Sequence, residues 1–89
     1  MKAVITVTGR DSVGIIAKVA SACAENGAHI VDISQSVLKE YFAMIMLADI
    51  DSLTVEFSEF VDKLADLGRE TGLDIHAMHE DIFNTMHHI

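Results

Sequence analysis

Eight consecutive residues, Thr8-Gly9-Arg10-Asp11-Ser12-Val13-Gly14-Ile15, gather two glycines, a guanidinium, a short carboxylate and two hydroxyls. Such a set can hold a small zwitterion. Arg10 can grip a carboxylate through two parallel N–H bonds. The first amides of a helix opening near Gly14 lack intrahelical partners and lie at the positive end of its dipole, so they too receive anions. Asp11 is then free to accept an ammonium, and the two halves together suit an α-amino acid. The plainer alternatives stand beside this one. Asp11 or Ser12 can simply cap the helix, Arg10 can face solvent, and Gly9 and Gly14 can serve backbone geometry alone.

The flanking residues say how this stretch is held. Lys2-Ala3-Val4-Ile5-Thr6-Val7-Thr8 is rich in β-branched residues, as strands are. From Gly14 to Asn26 apolar residues recur at Ile16, Val19, Ala20 and Cys23, the spacing of one helix face, and Gly27 suits the left-handed position after its end. A second strand is expected over Ala28–Val37, with Val31, Ile33 and Val37 on one face and Ile30, Asp32, Ser34 and Ser36 on the other. Leu38-Lys39-Glu40 makes the hairpin connection. The third strand, Tyr41 to Ile50, is apolar on both faces, so it belongs in the middle of a sheet or under a partner.

Asp51-Ser52-Leu53-Thr54 offers cap oxygens to a second helix whose inner stripe is Phe57, Phe60, Val61, Leu64, Leu67 and Gly68. Its acidic and basic residues fall mostly outside that stripe, as a solvated face requires. Gly72 ends it, Leu73–His79 forms the last strand, and Ile82, Phe83, Met86 and Ile89 line one side of a short terminal helix. Two βαβ halves with right-handed crossovers give a ferredoxin-like α+β sandwich: four antiparallel strands in the order 4-1-3-2, with both helices on one face.

Composition narrows the partners. A chain of 89 residues is one domain, and a domain of this size buries only somewhat more than ~60% of its unfolded surface, so self-association helps it. Apolar residues make up 51% of it, which excludes a disordered tail. Fourteen acids against six scattered bases give a net charge of −8, which argues against nucleic acid and against anionic membranes. No apolar run reaches the roughly 18 residues of a spanning helix and no basic-then-apolar leader is seen. The expectation is a cytoplasmic protein.

Other reactive side chains have structural explanations. Cys23 lies on the apolar side of the first helix and is expected to be buried. His76 and His79, three apart on a strand, project to opposite faces. His79, Glu80, His87 and His88 match no closed metal geometry, so neither metal nor cofactor is expected. Met44, Met46 and Phe42 read as sheet core or interface. No nucleophile–base pair, phosphate loop or paired-acid site is present, and no enzyme is expected.

Taken in order, Val7–Ile15 followed by Ala24-Glu25-Asn26-Gly27-Ala28-His29-Ile30-Val31-Asp32-Ile33-Ser34-Gln35 resembles the ACT domain. The likeness covers essentially the whole chain and is densest over 4–37. It is nearest to stand-alone ACT proteins of uncharacterised function and is similar to ACT segments of formyltetrahydrofolate deformylases and glycine-cleavage regulators. The resemblance implies an ACT domain over 1–80 with a helical extension at 81–89. It also implies a side-by-side homodimer (or higher homo-oligomer) with a continuous eight-stranded sheet, binding an amino acid or other small molecule between protomers. By position, Arg10, Asp11, Ser12, Val13, Gly14 and Ile15 of one protomer would face His29, Ile30 and Asp32 of the other. Val13 stands where many ACT turns have proline, and His29 where an Asn often opens the second strand. The function expected is regulatory ligand binding. The alternative is a ligand-free dimerisation module whose apolar tail docks a protein partner.

Overall fold

A computed structural model describes residues 1–10 and 14–86. The elements run β1 (Lys2–Arg10), α1 (Ile15–Glu25), β2 (His29–Leu38), β3 (Tyr41–Asp49), α2 (Phe57–Thr71), β4 (Asp74–His79) and α3 (Glu80–Met86). The strands form one antiparallel sheet in the order β2-β3-β1-β4, the arrangement expected of the βαββαβ pattern. The core lies between this sheet and the two long helices. Ala3, Ile5 and Val7 of β1 and Met44, Met46 and Ala48 of β3 meet Val19 and Cys23 of α1 and Phe60 and Leu64 of α2, all inaccessible to solvent.

The alternation of β3 is as the sequence indicates. Phe42, Met44, Met46 and Ala48 turn to the helices, and Tyr41, Ala43, Ile45 and Leu47 turn away. Its central place accounts for the first set. The second set lies on a largely open face, where Tyr41 and Ile45 remain about half exposed. One end of that face is covered: Val4, which points away from α1 and α2, is only 4% exposed. The contacts of α3 are with β1 and β4, so the terminal helix supplies this cover.

Four sequence expectations need correction. β1 continues through Gly9 to Arg10, because both residues remain in register with Phe42 and Tyr41. α2 begins at Phe57 with Glu56 as its N-cap, making no side-chain cap bond. The residues 51–54 expected to cap it form a loop instead, held where the Thr54 N–H donates to the Asn26 carbonyl at 2.9 Å. Third, Ile16, expected on the inner face of α1, is exposed and Ile15 is buried in its place. The expected terminal helix is present as α3, and residues 87–89, Ile89 among them, lie outside the described residues.

The fourth concerns β2. A bulge between Ile30 and Asp32 leaves Val31 unpaired, so the strand's alternation shifts by one residue there. Ile30 therefore lies opposite Ala48 on the helix side, in line with Ile33 opposite Met46, and Asp32 faces out beside Leu47. The expectation that Ile30 shares a face with Asp32 assumed unbroken alternation. An inserted residue reverses it.

Asn26 is the one buried polar residue among those described. Its Nδ2 donates to the Ala22 carbonyl at 2.7 Å while its own carbonyl receives Thr54, tying the end of α1 to the loop before α2.

Candidate functional site

The strand-to-helix turn leaves β1 at Arg10 and enters α1 through Gly14. Asp11, Ser12 and Val13 lie outside the described residues. Gly14 has φ 81° and ψ 7°, a left-handed conformation that a side chain makes costly. It caps α1, has nothing within 4 Å of where a Cβ would stand, and offers no side-chain oxygen to the amides behind it. Ile15 is 4% exposed and packs into the core, so only its main chain can face a ligand. Arg10 is exposed, with its guanidinium carbon 6.0 Å from the Tyr41 ring centroid, at the outer reach of a cation–π contact.

The second group of expected site residues opens β2. His29 is exposed opposite Asp49, Ile30 is half-buried against the core, and Asp32 is exposed with Oδ1 accepting the Ile33 N–H at 2.9 Å. The structure does not bring the two groups together within one chain. Arg10 pairs with Tyr41, which pairs with Leu38; Lys2 pairs with Asp49, which pairs with His29. The turn and the start of β2 thus lie at opposite ends of a nine-residue strand, roughly 27 Å apart at ~3.4 Å per residue.

Of the other reactive side chains that the sequence singled out, Cys23 and His79 pack against neighbours and His76 is exposed. Cys23 is fully buried, and burial among apolar side chains raises its thiol to about 11. His76 pairs with Thr6 on the open face. His79 is on the helix side, its ring stacked on Phe57 with centroids 4.1 Å apart. Among the described residues no three His, Cys, Asp or Glu side chains converge as a metal site would need. A groove of about 510 Å³ runs between the outer surfaces of α1 and α2 past Ser21, Asn26 and Leu67, remote from the turn. A smaller cleft, about 280 Å³, opens on the sheet beside Thr8, Ser36, Leu38, Tyr41 and Ala43. Sequence reasoning missed this cleft, although the small residues on its rung are visible once the register is known.

Fold and sequence together define a class. The family model for the ACT domain matches residues 2–78, and the chain belongs to that family. It is 46% identical over 87 residues to a UPF0237 protein of Listeria monocytogenes, covering 98% of each chain. Among solved structures it is similar to an ACT domain protein from Streptococcus pneumoniae, with a TM-score of 0.81 and 38% identity over 93% of each chain. It is also similar to the regulatory subunit of aspartate kinase from Thermus thermophilus, with a TM-score of 0.66 and 28% identity. That likeness covers 86% of this chain and 50% of the kinase subunit. Regulatory proteins therefore share this fold, and no helix among the described residues is long and apolar enough to cross a membrane.

Proposed function

We propose that this chain is a regulatory module of the cytoplasm, not a catalyst, that binds an amino acid between two copies of itself. The turn of one protomer, from Arg10 to Ile15, faces the start of β2 in the other, with His29, Ile30 and Asp32. The observation that carries this reading is the separation of the two groups combined with the position of β2. It is an edge strand, ten residues long, with Val31, Val37 and Leu38 more than half exposed. Such an edge is a template for another strand. Two β2 strands meeting antiparallel about a two-fold axis set Leu38 of one chain near His29 of the other. That arrangement brings the turn end of one sheet to the β2 start of its neighbour. Amides before α1 would then hold the ligand carboxylate while Asp11 or Asp32 accepts its ammonium.

A site built from two chains links ligand to association: the ligand tightens the dimer and the dimer completes the site. The test is sedimentation velocity at micromolar protomer, with and without a panel of amino acids, alongside titration calorimetry. The expected result is a dimer strengthened by one class of amino acid. The double substitution Val31→Lys and Val37→Lys is expected to remove both association and binding. Monomer throughout, or undiminished binding by the doubly substituted monomer, refutes the proposal.

A second reading keeps the dimer but gives the output to the tail, as a protein-interaction module. α3 covers Val4 yet leaves Ile82 and Met86 exposed, at 53% and 64%. Ending the chain after Glu80 separates the readings. Oligomers lost with ligand binding intact would assign assembly to the tail.

A further inference from the structure

The open face of the sheet is not uniform. Read across the strands, one rung carries Ser34, Ile45, Thr6 and His76; the next Ser36, Ala43, Thr8 and Asp74; the last Leu38, Tyr41 and Arg10. Over β2, β3 and β1 the middle rung is made of small side chains. Larger side chains stand on the rungs to either side, Ile45 on one and Tyr41 and Leu38 on the other, and Tyr41 and Leu38 wall the cleft. The main chain of Gly9 and Phe42, whose Cα positions belong to the helix side, completes the floor. The result is the cleft of about 280 Å³ noted above. It is smaller than the ~300–1,000 Å³ typical of sites for drug-sized ligands.

Charge decides which small molecule fits. The chain carries −8 overall, so an anion is held only where cations are local. Arg10 pairs with Tyr41, one wall of the cleft, and stands just beyond the residues that line it. Lys39 and Glu40 in the adjoining hairpin are both exposed and offset one another, which leaves Arg10 as the local cation. Among the described residues no carboxylate lies within ion-pair distance of Arg10. Asp74 continues the middle rung on β4, so an anion is repelled from that side and kept at the Arg10 end.

We propose that each protomer carries on this face a binding site for a small apolar monocarboxylate, its hydrocarbon over Ala43 and its carboxylate on Arg10. Tyr41 serves twice, as a wall for the hydrocarbon and as an aromatic rest for the guanidinium. This site is complete within one chain. It shares Arg10 with the turn placed between protomers above, but it needs no residue of a second copy and no partner for an ammonium, so it stands whether or not an amino acid binds there.

The probes are sodium 3-phenylpropanoate, sodium 4-methylpentanoate and the neutral 3-phenylpropanamide, added to the ¹⁵N-labelled full chain and followed by NMR. The expected result is saturable shifts of the Thr8, Ser36, Tyr41 and Ala43 amides, with dissociation constants on the order of millimolar for so small a ligand in an open cleft. The amide is expected to bind about tenfold more weakly than the acid, because it forgoes the charge-assisted contact. Arg10→Gln should bring the acid down to the level of the amide. Ala43→Leu should fill the dip and abolish binding while the core resonances stay in place; Ser36→Leu repeats the test should that variant fail to fold. Unchanged shifts at saturating probe overturn the proposal, as do equal affinities for acid and amide, or full binding by both filled variants. Loss of binding in the Val31→Lys, Val37→Lys monomer also overturns it, since the site would then belong to the interface. Failure of the amino-acid panel alone bears only on the proposed function.

Discussion

Gly68→Ala offers a stringent test of how α2 is seated, because helix propensity and packing push in opposite directions. Replacing glycine by alanine inside a helix ordinarily stabilises by about 1 kcal/mol. At Gly68 the added Cβ would stand 2.6 Å from the Leu73 carbonyl oxygen and 3.2 Å from the Ile75 amide nitrogen. Both are main-chain atoms that cannot swing aside. Restoring ordinary contact requires α2 to lift from β4 by about 0.8 Å, the shortfall from 3.4 Å. Overpacking of this kind costs about 1–3 kcal/mol. The same movement strains the Leu73 N–H to Gly68 carbonyl bond, now 2.8 Å, worth about 1 kcal/mol. Packing therefore wins, and the net effect expected is a loss of about 1–3 kcal/mol. For a domain of this size that lowers Tm by roughly 5–20 °C. Urea and thermal unfolding followed by circular dichroism, at one fixed protomer concentration, measure it. Gly72→Ala is the control: nothing lies within 4 Å of its Cβ position, and its φ of 75° charges only the left-handed penalty, about 1–2 kcal/mol. A Gly68→Ala protein as stable as the parent, or more stable, refutes the reasoning.

Three further outcomes are expected. Asn26→Ala removes the side-chain bond to Ala22 in a buried setting and should cost about 1–2 kcal/mol in urea unfolding. Cys23 should resist a thiol reagent at pH 8 in the native protein and react at once in urea. Because its folded pKa of about 11 exceeds that of the unfolded thiol, the unfolded chain loses its proton first. Stability is then whole below about pH 8.5 and falls by an amount on the order of 2–3 kcal/mol as pH climbs towards 11; a flat profile in that window, compared with Cys23→Ala, contradicts it. Lys39 holds φ 56° in the hairpin, so Lys39→Gly should stabilise by up to about 1 kcal/mol, read as a rise in Tm.

How far the sequence carried the fold depends on whether local pattern was interrupted. The order of elements, the central place of β3 and the split of its side chains followed from alternation that nothing disturbs. Gly27 and Gly72 marked helix ends, and both are left-handed. The bulge at Val31 was not legible, because one inserted residue leaves composition unchanged while exchanging the faces of everything before it. The late start of α2 was hidden for a related reason. Asp51 and Thr54 have cap chemistry, yet the Thr54 N–H goes to Asn26, a contact set by tertiary placement. The candidate site was half legible. The types in the turn announced themselves, but only register shows that Arg10 and His29 lie at opposite ends. Tyr41 gained its place beside Arg10 from pairing across β1 and β3, which no local reading reveals.

The two margins of the sheet differ, and the difference limits growth. β2 is ten residues long and exposes apolar side chains, whereas β4 has six residues and runs directly into α3. A head-to-tail stack would join the β2 margin of one molecule to the β4 margin of the next and continue without end. With one margin short and followed at once by a helix, the β4 side gives a neighbour little to pair with, and in the dimer proposed above strand addition would stop after a single step instead of running on into a filament.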